Sequence, residues 1–344
     1  MTHFKSMQSL STRGGLACST RRACFAAAAL AAVFSSTAWA QTADAAWPAR
    51  PLRIVVGYPA GTSPDMVARV IAEPLARSLG KPVVVENKPG AAGNIAVDTV
   101  ARANDGHTIG VTAQGPLTTS RLLYRSLPYD VDKDLQPLSL AATSPQILIV
   151  GAHLPIQSMA DFVAYARKQK NGLSYGSVGV GSGSHLTAEL FASEASVPMV
   201  HVPYAGFPQV TSAILGEQIE AAFMAPSGAI AQAKAGKVRI LGVTSPVPSS
   251  VAPGVPTIAD VARLPGFNAE LWIGAYAPRS MPAGVAERLS AEIAAALKSP
   301  EARSKLESQG WEPVGANPDV MRRRMATDLK TWGGVIERLQ IKLE

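Results

Sequence analysis

The chain has 344 residues, of which 47% are hydrophobic and 17% are charged. A length of this order suits one large domain or two ordinary ones, and the composition supports a sizeable core and argues against a disordered chain. The formal charge is +7, and the charged residues beyond the first forty are scattered along the sequence, which argues against a nucleic-acid partner, because such partners select clustered basic residues.

The first forty residues have the features of a secretory signal peptide. A pair of arginines precedes an apolar stretch, residues 23–34, and residues 38–40 (Ala-Trp-Ala) supply a small-residue cleavage site, with cleavage expected between Ala40 and Gln41. The apolar stretch is shorter than the roughly 20 residues of a membrane-spanning helix, and no later segment reaches that length. We therefore expect export to the periplasm, by either the general secretory or the twin-arginine route.

Removal of this leader changes the chemistry that the mature chain offers. Both cysteines, Cys18 and Cys24, lie in the leader, so the mature chain would contain no thiol, disulfide or cysteine-based metal site. Four basic residues and no acidic residue leave with it, so that +3 of the formal charge of +7 remains: Lys5, Arg13, Arg21 and Arg22. The basicity of the full chain is thus largely a targeting feature.

Alternating strand-like and helix-like segments follow the leader. Apolar runs predict buried strands, typical of a mostly parallel sheet, at 52–56, 83–86, 107–112, 146–150, 173–178, 199–202, 219–224, 238–244 and 271–277. Helical patterns are predicted between them, at 64–79, after a Ser158 cap, at 184–195, at 285–298 and from Asn317-Pro318 onward.

This alternation predicts doubly wound α/β layers. The connection 113–145 shows little helical pattern, and connections of that length are usually functional or cross between domains. A second connection between domains is predicted around Val243 and Thr244. We therefore predict a discontinuous α/β domain, 41–142 plus 244–344, and an inserted α/β domain, 143–243.

Motifs for catalysis or metal binding are absent from the sequence. No His-Glu-x-x-His, Walker or G-x-S-x-G motif is present, and the histidines beyond the leader are far apart: His107, His153, His185 and His201. Ser184 and His185 are adjacent, but neighbours on a helix point about 100° apart. A structural hydrogen bond is therefore expected of His185, and neither an enzyme activity nor a cofactor is expected of the chain.

Three turns built from small residues share one design. They are 59–65 (PAGTSPD), 176–185 (GSVGVGSGSH) and 203–208 (PYAGFP), and each follows a strand and precedes a helical pattern. A helix N-terminus offers free N–H groups and a partial positive charge, so an anion binds there without a cationic side chain. Any one of them could be an ordinary loop. Three of them, split between two predicted domains, favour a ligand cleft beyond the carboxyl ends of the strands.

Several motifs in chain order carry a family resemblance. The first are 47–56 (WPARPLRIVV), 59–61 (PAG) with Asp65, and 84–95 (VVENKPGAAGNI). They continue with 127–130 (LPYD), 182–186 (SGSHL), 202–206 (VPYAG), 235–237 (AGK), 255–257 (VPT), Trp272, 277–278 (AP) and 310–314 (GWEPV). The mature chain thereby resembles, over essentially its whole length, the Bug-type solute receptors of tripartite tricarboxylate transporters.

The resemblance implies an α/β, two-domain periplasmic-binding-protein fold of type II, a Venus flytrap with a ligand cleft between its domains. It implies capture of a small organic carboxylate, held largely by main-chain N–H groups, hydroxyls and ordered water. It also implies delivery of that ligand to the membrane permease subunits of a tripartite tricarboxylate transporter. We expect a monomer.

The resemblance also places the ligand-binding residues. In the first turn they are Tyr58, Ala60, Gly61, Thr62, Ser63 and Asp65; in the second, Ser177, Gly181, Ser182 and Ser184; in the third, Tyr204, Ala205 and Gly206. Gln114 and Met224, at the ends of two predicted strands, complete the set. Asp65 is expected to bond the amides of its loop in preference to the ligand.

Departures from the family pattern predict an unusually apolar cleft. Thr62-Ser63-Pro64 replaces the family's Gly-Gly-Thr, and Pro64 removes an N–H donor. Ala205 stands where a Lys is usual, and 223–225 (FMA) where many members carry an Asp. The expected ligand is therefore a carboxylate with an apolar or aromatic body and no ammonium group.

Three other functions remain as alternatives. A secreted α/β hydrolase is opposed by the missing triad and metal signatures. The effector-binding half of a transcription regulator is opposed by the export signal and by the lack of a helix-turn-helix segment. A periplasmic receptor that signals to a membrane sensor is not separated from an uptake receptor by the sequence.

Overall fold

The structure is a computed structural model that describes residues 47–341. The predicted signal peptide and its cleavage site lie outside the described residues. Residues from Arg50 onward form one unit of internal contacts. No helix in the described part of the chain is both long enough and apolar enough to cross a bilayer.

The strands of the described chain are numbered in chain order. They are β1 (Leu52–Val56), β2 (Val83–Asn87), β3 (Thr108–Ala113), β4 (Leu135–Ser144), β5 (Ile147–Gly151), β6 (Leu173–Ser177), β7 (Met199–Pro203), β8 (Ala221–Met224), β9 (Val238–Val243), β10 (Leu271–Pro278) and β11 (Glu312–Ala316).

The helices are numbered in the same way. They are α1 (Ser63–Leu79), α2 (Asn94–Ala101), α3 (Gln114–Leu117), α4 (Ser120–Leu123), α5 (Val131–Asp134), α6 (Met159–Lys168), α7 (Gly183–Glu194), α8 (Phe207–Leu215), α9 (Pro226–Lys234), α10 (Ile258–Val261), α11 (Ala283–Leu297), α12 (Pro300–Glu307) and α13 (Pro318–Leu339). A short 3-10 turn, Ala91–Gly93, precedes α2.

The strands form two sheets, with strand orders β11-β4-β10-β3-β1-β2 and β7-β6-β8-β5-β9. In the first sheet β1 lies between β2 and β3 and is parallel to both; in the second, β6 lies between β7 and β8 and is parallel to both. The chain therefore reverses its winding direction at β1 and again at β6. The carboxyl end of such a strand is where α/β sheets form ligand crevices.

The nine predicted strands are confirmed to within two residues, and the five predicted helices begin within two residues of their predicted starts. The expectation of mostly parallel sheets is wrong, because five of the nine described strand pairs are antiparallel. The sequence pattern gives no indication of β4 or β11. Each contains a proline, Pro137 or Pro313, and pairs with a register shift, so neither presents a continuous apolar run.

Helices cover both faces of each sheet, which places the core in layers. On the first sheet α1, α11 and α12 pack on one face, and α2 and α13 pack on the other around Trp272, Tyr276 and Met321. On the second sheet α6 and α7 cover one face, and α8 and α9 the other. The predicted α/β layering is thus confirmed.

The chain passes from the first sheet to the second between Ser144 and Ile147 and leaves the second after Val243. Side chains beyond Val243, among them Ile258 and Phe267, still pack on the second sheet's core. The division into 41–142 plus 244–344 and an inserted 143–243 stays a prediction, and we retain it as part of the function proposed below.

Candidate functional site

A cavity of about 300 Å³ lies where turns of the first sheet meet the beginning of α7. Its polar side chains are Tyr58, Ser63, Gln114 and Thr119, and glycines 115, 181 and 183 expose main chain to it. The remaining wall is apolar: Pro64, Ala113, Leu186, Leu271, Trp272, Ile273 and Trp311. No lining residue carries a charged side chain.

Larger cavities lie elsewhere in the described chain, among them an open one of about 420 Å³ near Gly80 and two more. One, of about 470 Å³, is lined by basic and acidic side chains around α5, among them Arg121, Arg125 and Asp132. The other, of about 710 Å³, lies along α13 between Leu122 and Ile341. We take the smaller cavity as the candidate site because the N-termini of α1 and α7 open into it.

The turn after β1 leads into the N-terminus of α1. Thr62 stands at the cap position in an extended conformation (φ −77°, ψ 163°), but its hydroxyl donates to Pro59 O at 2.7 Å and does not accept from the helix. Pro64 lacks an N–H, which costs little in a first helical turn. The amides of Ser63 and Asp65 meet no acceptor within residues 47–341, so they are open first-turn donors.

Asp65 braces this turn from within the fold. It is 2% exposed; its Oδ2 accepts from Gly61 N and from Arg69 Nε, each at 2.9 Å, and its Oδ1 accepts from Asn87 Nδ2 at 2.9 Å. Burial favours the neutral acid, but these hydrogen bonds outweigh it and hold the pKa of Asp65 below its usual value. The bond expected between Asp65 and a loop amide is confirmed. Asn87 also donates to Tyr58 O at 2.9 Å, a role that the sequence did not suggest.

Gln114 offers a neutral donor beside α1. Its Oε1 accepts from Trp272 N at 3.1 Å. A backbone N–H can only donate, so the oxygen of this side-chain amide must face Trp272. The –NH₂ end of Gln114 is therefore left for the cavity that the residue lines.

The turn after β6 is closed by hydrogen bonds among its own residues. Ser182 caps α7 by accepting from His185 N at 3.3 Å and donates to Gly179 O at 2.6 Å. Ser177 Oγ accepts from Gly179 N at 3.1 Å, and Ser184 Oγ accepts from a main-chain amide at 3.2 Å. These three hydroxyls have partners inside the turn, so their contact with a ligand stays a prediction.

Two glycines bring the main chain of this turn to the cavity. Gly181 has φ +76°, a conformation that glycine adopts readily. A Cβ on Gly183 would lie 2.7 Å from Leu271 Cδ2, so a glycine here permits close approach to the start of β10. Within the described residues the first-turn amides of Gly183 and Ser184 meet no acceptor, which makes α7 a second open N-terminus.

The rings of His185 and His201 lie behind the same turn, with centroids 4.0 Å apart and planes tilted by 30°. His185 Nδ1 accepts from Gly181 N at 3.1 Å, and His201 Nε2 shares a hydrogen bond with Ser177 Oγ. Burial and the adjacent His185 lower the pKa of His201 to about 4, and burial lowers the pKa of His185. Both rings are therefore neutral at neutral pH, and the structural hydrogen bond expected of His185 is confirmed.

The third predicted turn lies outside the cavity lining. Tyr204 N donates to Ser177 O at 2.9 Å, which joins this turn to the second one. Gly206 precedes α8 in an extended conformation, and Ala205 is exposed. Met224 is 3% exposed and belongs to the apolar core of the second sheet. Ligand contact by Tyr204, Ala205, Gly206 and Met224 stays a prediction.

Four of the residues expected to bind ligand line the cavity together: Tyr58, Ser63, Gln114 and Gly181. Ala60 is exposed, and the Gly61 amide is used by Asp65. The sequence assigned no ligand role to the apolar wall of Leu186, Leu271, Trp272, Ile273 and Trp311. The signal available for it was that Trp272 and Trp311 stand in the motifs that carry the family resemblance.

The arrangement suits the binding of an anion by neutral groups. Two helix N-termini from different sheets, each with open amides, converge on one cavity, and helix dipoles favour negative charge there. No group of His, Cys, Asp and Glu within the described residues is placed to hold a metal ion. These features define a solute-binding protein with a two-sheet α/β fold.

Comparison with known proteins identifies the family. Residues 67–341 match the profile of the tripartite tricarboxylate transporter family receptor. The chain belongs to this family of periplasmic solute-binding receptors, so the resemblance found in the sequence is confirmed.

Individual relatives agree with this assignment. The UPF0065 protein of the tcbD-tcbE intergenic region of Pseudomonas sp. (strain P51) is 37% identical over 317 residues, covering 92% of this chain and 94% of its own. Protein BugT of Bordetella pertussis is 32% identical, covering 87% and 92%. The solved structure of R. palustris Rpa4515 with adipate is 33% identical, with a TM-score of 0.69, and the match covers 85% of this chain and 97% of that one. The predicted two-domain periplasmic-binding-protein fold is thereby confirmed.

Proposed function

We propose that this receptor captures a small organic carboxylate in the cavity between α1 and α7. The observation that carries the proposal is the convergence of two open helix N-termini on a cavity without charged side chains. The amides of Ser63 and Asp65 on one side, and of Gly183 and Ser184 on the other, would donate to carboxylate oxygens. The Ser63 hydroxyl and the Gln114 –NH₂ group add neutral donors beside them.

The wall of the cavity supports a ligand with an apolar or aromatic body. Leu186, Leu271 and Trp311 offer aliphatic and aromatic surface, and no acidic lining residue is present to pair with an ammonium group. Adipate, the compound named with the Rpa4515 structure, has this character, because a hydrocarbon chain separates its carboxylates. We therefore favour carboxylates with a hydrocarbon body and no amino group.

The family supports the rest of the proposal. Its members are receptors that work with transporter subunits, so we propose that this chain is exported to the periplasm, acts as a monomer and delivers its ligand to a permease. We propose no enzymatic role. The proposed division into 41–142 plus 244–344 and 143–243 would place the cavity between two domains that bind the ligand from opposite sides.

A thermal-shift screen of the exported protein tests the ligand class. Adipate, longer dicarboxylates and aromatic carboxylates would be compared with citrate and acidic amino acids. A ligand at 100 times its dissociation constant stabilises the folded protein by about 2.7 kcal/mol, so a matching carboxylate should raise the melting temperature clearly. A response to citrate or acidic amino acids alone would refute the apolar-body proposal. Native mass spectrometry of gently purified protein would identify a retained ligand.

Tryptophan fluorescence tests the place of binding. Trp311 lines the cavity, whereas Trp332 is buried in the core beside the second sheet. A carboxylate bound in the cavity should change the emission, and Trp311→Phe should remove part of that change. Trp332→Phe is the matched control and should retain it. Equal responses of the two variants would exclude Trp311 from the ligand's surroundings.

A further inference from the structure

Behind the cavity wall, three buried polar atoms have no hydrogen-bond partner among residues 47–341: Asn94 Nδ2, Thr112 Oγ1 and the Tyr276 hydroxyl. The three residues are 3%, 0% and 1% exposed. They belong to α2, β3 and β10, which pack against one another. Because roughly 90% or more of buried polar groups in proteins have a partner, often ordered water, three such atoms need an explanation.

Two of the three atoms lie on one face of the first sheet. β3 and β10 are neighbours, and Tyr276 pairs with Gly110. A Cβ on Gly110 would lie 2.4 Å from the Tyr276 hydroxyl, so this phenol extends across β3 over the glycine. Thr112 is two residues further along β3 and therefore faces the same side.

The third atom belongs to an amide whose orientation is informative. The Tyr129 hydroxyl lies 2.7 Å from Asn94 Oδ1 and 2.8 Å from Pro116 O. Its single proton serves only one of these two acceptors. If the Asn94 amide is turned over, Nδ2 donates to the Tyr129 oxygen and Tyr129 donates to Pro116 O. The carbonyl oxygen of Asn94 then takes the unpartnered position and requires a donor.

Neither Thr112 nor Tyr276 supplies that donor. In the assigned orientation, Asn94 Nδ2 would donate to any hydroxyl oxygen within hydrogen-bond distance, yet it has no partner. The hydroxyls of Thr112 and Tyr276 are therefore outside hydrogen-bond geometry of Asn94 Nδ2. Burial raises the pKa of the Tyr58 hydroxyl, and the Thr112 hydroxyl lowers that pKa in part. The hydroxyls of Tyr58 and Thr112 are therefore close to each other. They nevertheless lack hydrogen-bond geometry, and the Tyr58 proton goes to Ala92 O at 2.9 Å.

We propose that ordered water lies between α2, β3 and β10 and bridges Asn94, Thr112 and Tyr276. Water both donates and accepts, which all three groups require in common. Burial raises the pKa of Tyr276, so its hydroxyl stays neutral and keeps its proton. Through Asn94 and Tyr129 the water holds the first residue of α2 against Pro116. The bridging water thus supports Pro116, the chain neighbour of the cavity-lining Gly115, whatever ligand the cavity binds.

A crystal structure of the exported protein, at a resolution that shows ordered water, tests the proposal directly. Water is expected within hydrogen-bond distance of at least two of Asn94, Thr112 and Tyr276. The absence of water between these three side chains overturns the proposal, and so do direct hydrogen bonds among them.

Melting temperatures of paired variants give an independent test. Thr112→Val and Tyr276→Phe each remove a partner of the same water, so their combined loss should be smaller than the sum of the single losses. The matched control pairs Tyr276→Phe with Thr118→Val. Thr118 is also buried (1% exposed), but its hydroxyl donates to Gln114 O at 2.8 Å, so these losses should add. Additive losses in both pairs overturn the proposal.

Discussion

Gln146 Nε2 donates to Thr187 Oγ1 at 2.6 Å, which ties the passage between the sheets to the helix that opens into the cavity. The same amide donates to Gly183 O at 3.2 Å, in the first turn of α7. The main chain of Gln146 is bonded to Thr244, the residue that follows the second sheet: Gln146 N donates to Thr244 Oγ1 at 2.8 Å, and Thr244 N donates to Gln146 O at 2.9 Å. One buried glutamine thus positions α7 relative to both segments that connect the two sheets, residues 144–147 and the chain that follows Val243.

Gln146→Met should weaken carboxylate binding as well as stability. The variant leaves Thr187 Oγ1 and Gly183 O without their donor, which should lower the free energy of unfolding by about 1–3 kcal/mol. Because Gly183 lines the cavity, its displacement should raise the dissociation constant measured by tryptophan fluorescence.

The matched control for Gln146→Met is Gln136→Met. Gln136 Nε2 also donates to two carbonyl oxygens, those of Pro278 and Met281, each at 3.0 Å, but it does not line the cavity. It should lose stability and keep its affinity. Equal affinities in the two variants would contradict the positioning role of Gln146.

Asp65→Asn should flatten the acid-stability profile. The folded pKa of Asp65 lies below its usual value of 3.8, so its stabilising effect is complete above that value and is lost as the pH falls through the folded pKa. Urea unfolding from about pH 6 to pH 2 should show a smaller loss for the variant than for the natural protein. Glu73→Gln, which removes an exposed carboxylate paired with Arg77 on the same helix, should leave the profile unchanged. Parallel profiles for Asp65→Asn and the natural protein would contradict this assignment.

His201→Asn should change the stability of the protein in a higher pH range than Asp65→Asn does. The folded pKa of His201 is about 4 against a usual value of 6.5, so the folded state favours the neutral ring. Its contribution is complete above about pH 6.5 and is lost as the pH falls toward 4. Melting temperatures across this window should fall less steeply for the variant. An unchanged slope would mean that the pair with His185 does not control acid sensitivity.

Gly183→Ala should change binding more than folding. The new Cβ would meet Leu271 Cδ2 at 2.7 Å, and since this is the far end of a flexible side chain, Leu271 is expected to rotate. Both residues line the cavity, so the dissociation constant for bulky carboxylates should rise. Gly228→Ala, on α9 with its nearest neighbour at 3.4 Å, is the matched control and should bind normally. Normal binding by both variants would exclude Leu271 from the ligand's wall.

Thr62→Gly should alter ligand selectivity more than stability. The change removes the bond from Thr62 Oγ1 to Pro59 O and restores glycine freedom ahead of α1. At a cap position, glycine costs only a few tenths of a kcal/mol relative to threonine. Relative dissociation constants for a panel of carboxylates should therefore shift while the melting temperature stays nearly constant. Unchanged ratios across the panel would contradict the role given to this turn.

Local sequence patterns anticipated the strands and turns well and the cavity wall poorly. The turn before α1 could be predicted because its cap position, proline and carboxylate lie within seven residues of one another. The hydrogen bond from Gly61 N to Asp65 is an example of such a local contact. Leu271 and Trp311 reach the cavity only because β10 and β11 return antiparallel to the first sheet. That pairing is non-local, and β11 carries a proline that conceals it. Met224 was placed among the ligand residues by a family comparison, and no short motif encodes the packing that buries it in the second sheet's core.

The open amides of α1 and α7 have a consequence for how such a receptor changes over generations. A main-chain N–H survives every substitution except proline, so the proposed grip on the carboxylate is largely shielded from point mutation. Leu186, Leu271 and Trp311 have no such protection, and each replacement there reshapes the wall. Point mutations therefore preserve the main-chain donors to the carboxylate, while they readily change the surface that contacts the rest of the ligand.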